Sequence, residues 1–108
     1  MTMTTNSQTH SRGVVNRAYI KVIEDATTAV AETFTVGFTP KFIRIENATD
    51  RIGYEWYEGM AANTAIKTVA AGTRTLDTTE GPAVSGFGFV VPAAAMIASK
   101  TFYIVVEG

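Results

Sequence analysis

Between Phe34 and Met60 the chain reads FTVGFTPKFIRIENATDRIGYEWYEGM, three short runs that alternate bulky apolar and polar residues and are parted by turn-forming ones. Phe34, Val36 and Phe38 fall on one parity, with Thr33, Thr35 and Gly37 on the other. The same period of two returns in Ile43 and Ile45 and again in Ile52, Tyr54 and Trp56. A period of two places alternate side chains on opposite faces of a strand, whereas a helix repeats every 3.6 residues. The segment is therefore constrained to β-structure with one buried side.

Extending the same test along the chain gives about eight strands, near Arg17 to Glu24, Glu32 to Gly37, Lys41 to Asn47, Arg51 to Glu58, Ala65 to Val69, Thr73 to Thr78, Gly86 to Val91 and Thr101 to Val106. Short strands at such spacings with turn residues between them predict an all-β fold, an antiparallel β-sandwich of jelly-roll-like form. Thr39-Pro40 presets a corner, Asn47-Ala48-Thr49-Asp50 offers side-chain oxygens to a turn, and Ala71-Gly72 supplies a left-handed hairpin position. Pro92 to Ser99 suits one helical turn or an irregular crossover, being too short for an independent helix. The bulky faces of the period-two runs place Phe87, Phe89, Ile104 and Trp56 in the core.

A chain of 108 residues holds one domain. Residues 1–16, MTMTTNSQTHSRGVVN, lack the basic start and apolar run of a secretory signal and read as an extended polar N-terminal arm, with the β-sandwich domain spanning 17–108. Nine basic and ten acidic residues leave a formal net charge of −1, without a basic stripe that would draw nucleic acid or an anionic membrane. The uncharged run from Pro82 to Ala98 contains Pro82, Gly86, Gly88 and Pro92, which argues against a membrane span. No cysteine is present, so disulfides and thiolate metal sites are out of reach.

The residues supply no catalytic, cofactor-binding or metal-binding set. His10 is the single histidine and lies in the polar arm, away from any ligand partner in sequence. Glu24, Asp25, Glu46, Asp50, Glu55, Glu58, Asp77 and Glu80 are scattered; strand-edge and turn duties account for them better than a paired glycosidase site. Asp77-Thr78-Thr79-Glu80 lacks the acidic density and central glycine of a dedicated calcium loop. Tyr54 and Trp56 share a strand face with Ile52 and belong to the core, leaving Tyr57 beside Glu55 on the opposite face, where an aromatic ring with Arg51 or Arg74 would suit a sugar or a base.

Val36-Gly37-Phe38-Thr39-Pro40 followed by an Ile-Arg-Ile strand, then Glu55-Trp56-Tyr57-Glu58-Gly59-Met60, then Ala70-Ala71-Gly72-Thr73-Arg74-Thr75 and a terminal β-run, resembles small virion proteins of tailed bacteriophages, the capsid decoration or cement proteins. The resemblance covers about Phe34 to Gly108 and is one of pattern and order. It implies a non-enzymatic structural protein on the capsid surface of the virion, bound to the major capsid protein and bridging neighbouring capsid subunits. The implied assembly is a homo-oligomer, dimer or trimer, without cofactor, nucleic acid or membrane. The alternative is a phage tail or receptor-binding module, a β-sandwich that binds carbohydrate.

Overall fold

The computed structural model describes residues 3–11, 16–24 and 29–108, the first of these segments by its backbone alone. Ten strands run in the order β1 (Met3–Ser11), β2 (Arg17–Glu24), β3 (Glu32–Thr35), β4 (Phe42–Asn47), β5 (Ile52–Tyr57), β6 (Ala65–Thr68), β7 (Arg74–Asp77), β8 (Ala83–Ser85), β9 (Gly88–Val91) and β10 (Thr101–Glu107). Among the described residues there is no helix, and the fold is all-β. Seven strands form one antiparallel sheet, β1-β2-β10-β4-β5-β6-β7, and three form a second, β3-β9-β8.

Strand parity decides what each sheet buries. Ile20 and Val22 of β2, Ile43 and Ile45 of β4, Tyr54 and Trp56 of β5, and Phe102, Ile104 and Val106 of β10 share the inner side of the long sheet. Phe34 of the short sheet and Val36 just beyond β3 meet them, with Phe89, Val91 and the crossover residues Ala95 and Met96, in one core cluster. Phe34 and Phe89 face each other across paired strands with ring centroids 5.2 Å apart. Their neighbour Gly88 is forced by sterics, because a Cβ there would run into the Phe34 carbonyl. The crossover makes one helical turn, with the Ala95 and Met96 amides donating to the Pro92 carbonyl at 3.0 and 3.2 Å, and it goes no further.

Two of the turns use the chemistry foreseen for them. The Asp50 amide donates to Asn47 Oδ1 at 3.0 Å while Asn47 Nδ2 donates to Asp50 Oδ2 at 3.1 Å, closing the loop between β4 and β5. Gly72 takes φ +93° after a turn in which its amide donates to the Val69 carbonyl at 2.8 Å, the three-residue hairpin geometry that demands a left-handed last position.

Of the four residues expected in the core, Phe89, Ile104 and Trp56 are buried, and Phe87 is not: it is 65% exposed. The expected strand from Gly86 to Val91 begins only at Gly88, because Ser85 pairs with Gly88 and leaves Gly86 and Phe87 as a two-residue loop between β8 and β9. Gly86 adopts φ +57°, as the first central position of a II′ turn requires. The Phe87 carbonyl is then fixed by the Val36 and Gly37 amides at 2.9 and 3.1 Å, so the ring is held outward at the hairpin tip. Strand β8 was hidden in sequence by its three-residue length. The segment 1–16, expected as an arm, contains β1, paired antiparallel with β2 from Met3 opposite Glu24 to Ser11 opposite Arg17; Gly13 lies outside the described residues.

Two substitutions measure this division. Phe89→Ala is expected to lower the unfolding free energy by about 3–5 kcal/mol in denaturant titration, whereas Phe87→Ala should change it by no more than about 0.5 kcal/mol. A large loss at Phe87 would mean that its ring is part of the core after all.

Candidate functional site

The outer side of the long sheet carries what the core does not use. Pairing registers align Tyr19, Val105, Arg44, Glu55, Ile66 and Leu76 in one row across six strands. The adjacent row is Lys21, Tyr103, Glu46, Gly53, Thr68 and Arg74, and a third begins Arg17, Glu107, Phe42 and Tyr57. Tyr19, Tyr57 and Tyr103 are all substantially exposed, close to half in each case. Sequence parity had singled out Tyr57 alone, since Tyr19 and Tyr103 join it only when β10 inserts beside β2 and β4.

The charges between these rings are largely paired. Arg17 reaches Glu107 at 3.2 Å, Arg44 reaches Glu46 at 3.6 Å and Arg74 reaches Glu55 at 2.9 Å. Lys21 lies 5.8 Å from the centre of the Tyr103 ring, and Arg17 lies 5.9 Å from that of Tyr19. Such exposed pairs add little stability; their effect is to order long side chains over the sheet. Arg44, Glu46, Arg51, Gly53, Glu55 and Thr68 line a shallow cavity of about 120 Å³. Gly53 keeps its floor low, since a Cβ there would come within 3.1 Å of Glu46 Oε1. Arg51, lifted to its rim by a left-handed φ of 58°, has no ion pair among the described residues. The arrangement leaves donors, acceptors and aromatic faces on one open side of the sheet.

A second polar cluster sits where β5, β6 and the segment after β7 meet. The Tyr54 hydroxyl donates to Glu80 Oε1 at 2.5 Å, and Lys67 Nζ donates to both Glu80 oxygens at 3.1 and 3.3 Å. Burial first, then the hydrogen bond to Glu80 and the negative charges of Glu80 and Asp77, raise the Tyr54 hydroxyl far above its ordinary value. Desolvation alone would lift the Asp77 carboxyl. It is instead held below its ordinary 3.8, because the Thr79 and Glu80 amides donate to Oδ1 and the Lys67 charge lies near. The segment weighed as a calcium loop is thus an Asx-type turn, and among the described residues no three His, Asp or Glu side chains gather as a metal site.

The remaining candidates are dispersed. Glu46 and Glu55 reach the same cavity, each engaged by an arginine; Glu24 is buried at the inner side of β2 and Glu58 lies in the turn after β5. Asp25 and the side chain of His10 lie outside the described residues. Trp56 is in the core, as its parity indicated. No helix among the described residues is long and apolar enough to cross a membrane. No family model matches the chain, and no curated protein or solved structure is significantly similar to it.

The Tyr54–Glu80–Lys67 cluster predicts two effects. Tyr54→Phe should cost about 1.5–3 kcal/mol, the range for a hydrogen bond to a charged acceptor, with the outer face unaltered. The depressed Asp77 value gives a stability contribution present above the ordinary carboxyl range and lost as pH falls through the lower folded value. Asp77→Asn should therefore flatten the acid limb of a melting-temperature profile below about pH 4, and an unchanged limb would show that Asp77 carries none of it.

Proposed function

We propose that this protein is a structural virion component, a decoration or cement protein that binds the outer capsid surface through the major capsid protein and stabilises contacts between neighbouring capsid subunits. In this reading the fold is a jelly-roll-like sandwich acting as a homo-oligomer, and it performs no catalysis. The observation that carries the proposal is the outer side of the long sheet, where three exposed tyrosines and an ordered lattice of opposite charges stand on strands whose other side is a packed core. Side chains already ordered by ion pairs on a hydrogen-bonded sheet lose little conformational entropy on docking. Aromatic and arginine side chains are also the types that dominate interface energies. The return of β10 between β2 and β4 supports the jelly-roll-like description, and the ordered pattern from Phe34 to Gly108 supports the virion assignment.

A second reading, a carbohydrate-binding tail or receptor-binding module, is favoured by the position of Tyr57 and Tyr103 on the face that holds the polar cavity. Tyrosine faces stack on sugar rings and the neighbouring arginines and carboxylates bind hydroxyls.

The two readings separate in one experiment. Wild-type protein, Tyr103→Ala and Tyr57→Ala are titrated onto phage capsids lacking the protein and onto a glycan array, with melting curves as controls. Capsid binding weakened at least about tenfold by Tyr103→Ala, at an unchanged melting temperature, is expected. Glycan binding lost on Tyr57→Ala would favour the second reading, and saturable binding to neither target would defeat both.

A further inference from the structure

We propose that β7 is a self-association edge: two copies of the chain pair antiparallel through Arg74–Asp77, extending the two long sheets into one. The proposal deepens the homo-oligomer part of the reading above by naming the surface and its register.

Strand β7 ends the long sheet and has β6 as its neighbour on one side only. Backbone hydrogen bonding fixes which of its groups face outward. The Val69 amide donates to the Thr73 carbonyl at 3.1 Å, and antiparallel ladders alternate. Thr75, opposite Lys67, and Asp77, opposite Ala65, therefore bond to β6, and the amides and carbonyls of Arg74 and Leu76 point away from the sheet. The side chains agree with an open edge. Leu76 is 65% exposed, and Thr75, on the other side of the strand, is exposed as well.

Proteins blunt such edges with proline, bulges or inward charges. Here the pairing register runs without a shift from Ala65–Asp77 to Thr68–Arg74, the strand contains no proline, and its one inner-side charge, Asp77, sits at the strand end with Oδ1 accepting from the Thr79 and Glu80 amides. Strand β8, by contrast, is three residues long and directly follows Pro82. Among the edge strands with described side chains, β7 alone presents a large exposed aliphatic residue.

Symmetry and the apolar pair select a second copy in one register. A two-fold axis normal to the sheet keeps outer side with outer side and allows only residues of like parity to stand opposite each other. With Leu76 opposite the second copy's Leu76, each donates its outward amide to the other's carbonyl. The apolar pair Ile66 and Leu76 then continues into its symmetry mate, and Thr75 stands opposite Asp77. A shift placing Thr75 opposite itself would instead stand each Leu76 opposite an Arg74 and lose the apolar pair; like charges do not choose, since Arg74 is diagonal to its mate in that register and Asp77 in the other. A ladder this short buries less than the ~1,200–2,000 Å² of a permanent interface. The dimer is therefore concentration-dependent, and on a lattice that holds copies side by side a high effective concentration favours it.

Sedimentation of the full chain between about 10 µM and 1 mM is expected to show a monomer–dimer equilibrium. Leu76→Pro, which removes an outward amide and leaves the β6 ladder whole, should leave only monomer at an unchanged melting temperature. Because the chain has no cysteine, single-cysteine variants test the register. Leu76→Cys should oxidise to a dimer at least about tenfold faster than Ala71→Cys at the hairpin tip. A monomer throughout the concentration range, or equal oxidation of the two variants, overturns the proposal. Faster oxidation of Thr75→Cys than of Leu76→Cys overturns the register. Capsid titration is scored separately, so a failed dimer and a failed virion reading are told apart.

Discussion

Strand β10 joins the long sheet on both of its edges at once, with Ile104 standing opposite Ile20 of β2 on one side and Ile45 of β4 on the other. Without it the sheet falls into a β1–β2 hairpin and a β4–β7 meander, neither with a full inner side to cover. Its Phe102, Ile104 and Val106 are buried between those neighbours and the short sheet, so the same strand supplies both the lateral hydrogen bonds and the centre of the core. The contact is also the most remote in sequence, and its loop-closure entropy must be met before the burial is gained. Pairing so remote in sequence raises the contact order of the fold, the topological feature that slows folding across small domains.

The outer array is a by-product of the same constraint. Once β10 is registered against β2 and β4, alternation commits Tyr103 and Val105 to the side away from the core. Tyr103 then stands beside Lys21 and Glu46, and Val105 between Tyr19 and Arg44. The functional candidate is therefore a sheet face backed by packed side chains and needs no mobile loop. The proposed dimer edge extends that face in its own plane, since pairing through β7 keeps both outer sides on one surface.

Stability and surface chemistry are kept apart in this architecture. The Tyr54–Glu80–Lys67 cluster fixes the chain leaving β7 against β5 and β6, using charges on the inner side of the sheet. The arginine–glutamate pairs of the outer side hold side chains in place at little energetic consequence. Substitutions on the outer face can thus change the surface chemistry without unfolding the domain.

Local periodicity in the sequence determined most strands, because alternation of Ile43 with Ile45 or of Tyr54 with Trp56 records which side of a strand meets the core, whatever its neighbour. Turn positions were legible for the same reason: Asn47 with Asp50, and Gly72, act over three or four residues. Tertiary structure alone decided which strands are neighbours, and hence that Tyr19, Tyr57 and Tyr103 share a face, that Tyr54 finds Glu80, and that β7 is left at an edge. It also overruled the pattern at Phe87, whose alternation with Phe89 is that of a strand but whose place was set by the Ser85–Gly88 pair. Hydrogen bonds between strands are made by backbone groups common to every residue, so the partner is selected by the closing of the whole core, and no local stretch of side chains encodes it.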